Sequence, residues 1–179
     1  NFSDSTDTVS GGSSANTLAG IAITSYTRDA TKGEWQYSTN GSSWTTIGSS
    51  ISAASSSLTF KSTDYLRFLP AANWNGSAPT LTVALIDSST TVTTNATVDV
   101  STRGGTTAYS SSTVTLSNTV NAVNDAPTII SSTATLDAVN EDSTPSGATV
   151  SSLFSSNFSD STDRKSTRMN SSHLGISYA

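Results

Sequence analysis

Along residues 18–26 (LAGIAITSY) the chain sets Ile21 and Ile23 between small partners, a period of two that predicts a half-buried strand. Residues 34–39 (EWQYST) repeat the pattern with Trp35 and Tyr37 on one face. Asn40-Gly41 then favours the type I′ turn of a tight hairpin, with residues 44–47 (WTTI) as the returning strand. Residues 58–60, 65–69, 80–86, 91–100 and 112–123 continue as strands of similar length, separated by Ser, Asp, Asn, Gly and Pro, at the spacing of an all-β sandwich. Residues 128–136 (TIISSTATL) and a stretch ending in residues 150–154 add two more, although residues 150–158 also suit one short turn of helix. No segment holds apolar residues at i, i+3, i+4 and i+7 for three turns.

Composition agrees with many short strands. Hydrophobic residues make up 34% and charged residues 12%, so small, uncharged Ser, Thr, Gly and Asn dominate. Thr suits strands through its β-branch, and Ser, Gly and Asn suit turns. The formal charge of −5 argues against nucleic acid, whose binders cluster Lys and Arg to displace phosphate counterions. With no cysteine, neither disulfides nor thiolate metal sites are available. An extracellular protein of that kind fits a bacterial surface. No apolar run approaches the roughly 18 residues of a membrane span, so no membrane insertion is expected.

The chain also repeats itself. Asn1-Phe2-Ser3-Asp4-Ser5-Thr6-Asp7 returns as Asn157-Phe158-Ser159-Asp160-Ser161-Thr162-Asp163, seven identities 156 residues on. That period is too long for a solenoid coil and close to one autonomous β domain. The expected organisation is beads in tandem: residues 1–126 form a repeat without its opening strands, and residues 127–163 open the next one. Pro127 marks the boundary, since it cannot donate to a ladder. The bead is thus expected to be cut at both ends, and residues 128–156, equivalent to the opening that the first bead lacks, suit folding back to complete it. Residues 164–179 (RKSTRMNSSHLGISYA) resemble the translation of a short-read sequencing adapter, Asp163 to His173 matching except at Met169, where the adapter reads Leu. A tail of that origin has no reason to pack and is expected to be disordered. It holds His173, the single histidine, and three of the eight cations, without which the formal charge is −8.

Several phrases, in fixed order, resemble the cadherin-like repeats of giant RTX-type bacterial adhesins. They are Val123-Asn124-Asp125-Ala126-Pro127, Asn140-Glu141-Asp142, Leu153-Phe154 before Phe158-Ser159-Asp160, Gly20-Ile21-Ala22-Ile23-Thr24, Gly33-Glu34-Trp35-Gln36-Tyr37-Ser38, Trp44 with Ile47-Gly48, Leu66-Arg67-Phe68-Leu69-Pro70-Ala71 and Asn73-Trp74-Asn75-Gly76. The resemblance implies an immunoglobulin-like (cadherin-like) β-sandwich, acting as a structural extender in a secreted or surface-attached adhesin. Its partners would be the neighbouring repeats of the same chain, with any surface or matrix ligand met by other domains. It also implies calcium at the repeat junctions, held by Asn124, Asp125, Glu141 and Asp142, and by Asp160 and Asp163 with their counterparts Asp4 and Asp7. Calcium takes six to eight hard oxygens from carboxylates, amides and carbonyls. The plainer alternative is that these Asn and Asp residues only form turns.

Catalysis is not expected. Residues 1–163 have no histidine for a Ser-His-Asp relay, and Glu141 and Asp142 adjoin in sequence rather than facing across a cleft. Asp29, Asp64 and Asp87 fall in expected turns, as caps. Trp35, Tyr37, Trp44 and Trp74 suit core packing in a chain poor in Leu and Val. The alternative is a carbohydrate- or ligand-binding module, with these rings as an exposed platform.

Overall fold

The structure, a computed structural model, describes residues 15–160. The chain divides into two compact units, Asn1–Val120 and Asn121–Ala179. It is all-β in character, with several antiparallel sheets and a single short α-helix among the described residues.

The first unit contains β1 (Leu18–Tyr26), β2 (Gly33–Ser38), β3 (Thr45–Thr46), β4 (Ser57–Lys61), β5 (Tyr65–Pro70), β6 (Gly76–Ser77), β7 (Leu81–Asp87), β8 (Ala96–Val98), β9 (Tyr109–Leu116) and β10 (Thr119–Val120). A five-stranded sheet runs β8-β4-β1-β7-β9, a three-stranded one β3-β2-β5, and β10 pairs with β6. Register places Leu18 opposite Asp87 and Tyr26 opposite Leu81, while Leu116 also pairs with Leu81 and Tyr109 with Ile86. β1 and β9 therefore run in the same direction on either side of β7.

The period-two pattern decides the core. Ile23, Tyr26, Phe60, Leu81 and Val83 of the five-stranded sheet meet Trp35 and Phe68 of the three-stranded one, with Ile47, Ile51 and Ala78 closing the cluster. Burying each large side chain is worth about 1.5–3 kcal/mol. Trp35 and Phe68 make an edge contact at 5.6 Å between ring centroids, and Phe68 makes another with Trp74 at 5.9 Å. Such offset geometries suit the ring quadrupoles. The indole N–H of Trp35 donates to the carbonyl of Pro79 at 2.7 Å, so its polar atom is buried with a partner.

The other face of the five-stranded sheet is covered as well. Ala22 and Ile86 pack against Val92 and Val100, which lie in residues 88–103. That cover is tied down by the Thr59 hydroxyl donating to the carbonyl of Thr93 at 2.7 Å. The N–H of Asn95 donates to the Thr59 carbonyl at 2.7 Å, and that of Val100 to the Ala54 carbonyl at 2.9 Å. Gly20 leaves room on both sides: a Cβ added there would stand 2.2 Å from the carbonyl oxygen of Phe60 on the neighbouring β4 and 3.0 Å from the side chain of Val92 in the cover. β1 is thus enclosed on both faces, where its alternation predicts half-burial.

The expected hairpin at Asn40-Gly41 forms with a wider loop. Tyr37 pairs with Thr45, leaving residues 38–44 as the connection. A type I′ turn needs left-handed backbone at both central residues; Gly41 has φ +73°, whereas Asn40 is not left-handed. Asn40 uses its side chain instead. Its Oδ1 accepts from the N–H groups of Ser42 and Ser43, both at 2.9 Å, and the Ser38 hydroxyl oxygen accepts from Gly41 at 2.9 Å. These side-chain turns outcompete the tight hairpin.

Other strands shorten. In residues 91–100 only Ala96–Val98 pairs, since Val92 and Val100 serve as anchors of the cover. Residues 112–123 split into β9, which begins earlier at Tyr109, and β10.

The second unit contains β11 (Thr128–Ile129), α1 (Val150–Phe154) and β12 (Phe158–Ser159), with β11 and β12 paired antiparallel. Residues 130–136, expected to extend the first of these strands, belong to none. Residues 150–154 are the short helical turn, not a strand, because Thr149 caps it: its hydroxyl oxygen accepts from the Ser152 N–H at 3.1 Å. The Asn157 side-chain amide donates to the carbonyls of Ser131 and Thr133, each at 2.7 Å.

Candidate functional site

The oxygen-bearing residues singled out for calcium that the structure describes all lie in the second unit. Asn124 and Asp125 precede Pro127; Asn124 is exposed and Asp125 half-buried, and the Asn124 amide donates to the Asp125 carbonyl at 2.9 Å. Glu141 and Asp142 occupy the centre of a turn closed by the Ser143 N–H donating to the Asn140 carbonyl at 3.3 Å. Asp142 takes a left-handed φ of +63°, a conformation that Asp tolerates better than most residues. Asp160 is exposed just after β12. Asp163, Asp4 and Asp7 lie outside the described residues.

In donor chemistry these groups fit calcium: carboxylates and a carboxamide are among the hard oxygens it prefers. In arrangement, no three carboxylate or imidazole groups stand together among the described residues. Among the described residues, two adjacent pairs, Asn124 with Asp125 and Glu141 with Asp142, and the single Asp160 are on offer.

In the first unit the acids are engaged locally. Asp29 Oδ1 accepts from the Thr31 N–H at 3.1 Å and from its hydroxyl at 2.6 Å. The Thr31 hydroxyl holds the Asp29 carboxyl below its ordinary pKa, with the Thr31 amide and Lys32 adding to the effect. Asp99 is lowered likewise by the Ser101 side chain and then by its amide, which donates at 2.9 Å. Asp87 caps Ser89 through its amide at 2.8 Å and its hydroxyl. Asp64 accepts from the Lys61 amide at 2.8 Å and from the Thr94 hydroxyl at 2.6 Å, tying the β4–β5 turn to the cover. These three aspartates at expected turns, Asp29, Asp64 and Asp87, act as caps.

Two pairings were not visible from sequence spacing. Arg28 grips Glu34 through two guanidinium nitrogens, and the hydrogen bond to Glu34 raises the Arg28 pKa further. Arg67 lies over Trp44, 4.1 Å from the ring centroid, while its Nε donates to the Gln36 side chain at 2.8 Å. One face of Trp44 is therefore occupied by a cation. Trp35 is buried; Tyr37 and Trp74 are partly buried against the same core. An alternating strand places such rings inward, but the Arg67–Trp44 contact depends on the pairing of β2 with β5, which sequence alone does not state.

Among the described residues no helix is long and apolar enough to cross a membrane. No family model, curated protein or solved structure matches the chain.

Proposed function

We propose that this chain is a non-catalytic spacer repeat of a large bacterial surface adhesin, an immunoglobulin-like sandwich of the cadherin type working outside the cell. The observation that carries this reading is the return of Asn1 to Asp7 at Asn157 to Asp163, at a period matching one bead. The first unit supports it. Its five-stranded and three-stranded sheets share one core, the second face of the larger sheet has its own cover, and its described aspartates are spent on turns. Such a module holds its neighbours at a distance.

Calcium at the repeat junction is the proposed stiffener. Asn124, Asp125, Glu141 and Asp142 offer oxygens in adjacent pairs, so a full coordination shell draws on the adjoining repeat. Bound there, the ion offsets carboxylate repulsion and restricts the angle between beads. Small-angle scattering from two consecutive repeats in one frame tests this: calcium is expected to lengthen the particle and chelator to shorten it. Identical curves in both conditions would refute the calcium joint.

A further inference from the structure

β9 is the unguarded edge of the first unit. Among the described residues it has a hydrogen-bonded neighbour, β7, on one side only. The other sheet edges are blunted in the ways that proteins use against unwanted pairing: β3 has two residues, β8 has three and runs into Asp99, and β5 carries Arg67 and ends at Pro70. β9 has eight residues; it bulges over 110–112, where Tyr109 pairs with Ile86 and Thr113 with Ala84, but runs regularly over 113–116, and residues 109–123 contain no charge and no proline. Its inner face is also open. Val114 and Leu116 pair with the buried Val83 and Leu81 and so share their face, yet they are 45% and 37% exposed.

The second unit holds the complementary defect. Residues 130–136 (ISSTATL) read as a strand, belong to none, and leave Ile130 64% and Leu136 61% exposed. Ile130, Ala134 and Leu136 fall on one side of an extended chain, and the segment is uncharged and free of proline. The tandem repeat supplies the link between the two defects. Residues 157–163 occupy the place of residues 1–7, so the residues before 157 stand where a repeat keeps the chain that leads into its body.

We propose that residues 130–136 add as a strand to the free edge of β9 in a second copy of the chain, so that successive copies join by strand addition. The inference rests on the tandem-repeat reading and deepens it by naming what each repeat gives its neighbour. Asn157 holds the carbonyls of Ser131 and Thr133, so the main-chain hydrogen bonds that provide the affinity come from the opposite edge of the segment, at Ser132 and Ala134, and Ile130, Ala134 and Leu136 extend the stripe of Val114 and Leu116. The contact is head-to-tail, so it builds closed rings where the rotation between copies closes and open chains where it does not.

Sedimentation velocity of the full chain over a dilution series tests it, with hydrogen exchange as a second readout. The expected result is a mass that rises with concentration, with protection of residues 112–116 and 130–136 rising in step. Ala134→Pro and Leu136→Asp are expected to abolish the association while leaving tryptophan-detected unfolding of the first unit unchanged. Val114→Lys is expected to abolish it from the other side. A mass independent of concentration would overturn the proposal. So would association that survives Leu136→Asp but not Val114→Lys, which would mean that β9 pairs with β9. The calcium joint is read by scattering and this one by mass, so either fails without the other.

Discussion

The two units of this chain use the same small, polar alphabet and reach different ends. In the first, Ala22, Ile23, Leu81 and Ala84 are fully shielded from solvent, and two clusters lie on opposite faces of one sheet. In the second, none of the described residues 121–160 is buried. The difference is one of pairing. Seven and nine residues of continuous strand in β7 and β1 bring distant apolar positions into register, whereas β11 and β12 contribute two residues each. Apolar side chains give little stability without a sheet that gathers them onto one face.

The contrast can be broken most directly by truncating side chains on each side of it. Phe60→Ala is expected to destabilise the first unit by about 3–5 kcal/mol, since it removes a ring at the centre of the core. Leu136→Ala is expected to change stability by less than about 0.5 kcal/mol, as for most exposed sites. Urea titration reads both sides: tryptophan fluorescence follows the first unit, where Trp35, Trp44 and Trp74 all lie, and hydrogen exchange at residues 121–160 follows the second. Equal costs at the two positions would contradict the contrast.

Gly20→Ala follows in size, at about 1–3 kcal/mol, because the added carbon meets the Phe60 carbonyl and the side chain of Val92. Loss of secondary structure at a lower urea midpoint is the expected readout. An unaltered midpoint would mean that the cover of the second face yields easily.

Tyr26 sharpens the picture with the opposite sign. Among the described residues its buried hydroxyl finds no well-formed hydrogen bond. Burial raises its pKa above the ordinary value of 10.0, and the nearby Trp35 backbone only partly offsets this. A raised folded-state pKa gives stability that is whole below the unfolded value and lost as pH climbs through the folded one. Tyr26→Phe is therefore expected to gain about 1 kcal/mol at neutral pH, by removing an unsatisfied buried group, and to soften the alkaline loss above pH 10. Melting curves at neutral and alkaline pH check both parts; a loss of stability at neutral pH would reveal a partner for the hydroxyl.

The smallest effect is acid sensitivity. Asp29 and Asp99 have folded pKa values below the ordinary 3.8, so what they contribute is present above that pH and fades as pH falls through their folded values. The paired change Asp29→Asn with Asp99→Asn is expected to flatten stability against pH below about 4, slightly, since Asp99 is exposed and Asp29 partly so. Unchanged acid dependence would show that these caps do not couple to folding.

Much of the first unit was legible from residue order. β1 runs over the nine residues that its alternation marks, and β2, β4, β5 and β7 fall within two residues of expectation, because each has apolar residues two apart and turn formers at its ends. What escaped was long-range or side-chain in origin. Nothing local says that Val92 and Val100 close over Ala22, or that Asn40 spends its amide on the turn that its backbone was expected to make. For the candidate site only the chemistry was legible. Asn124, Asp125, Glu141 and Asp142 show hard oxygens at fixed spacing, but spacing does not bring separate loops together, and the described residues gather no three of these acids.

The direction of the strands has a mechanical outcome. Leu18 begins β1 at the Asp87 end of β7, and Leu116 finishes β9 at the Leu81 end. Tension entering at one and leaving at the other drags the three strands lengthwise past one another. Every rung of both ladders then shares the load at once, instead of parting one by one from an edge.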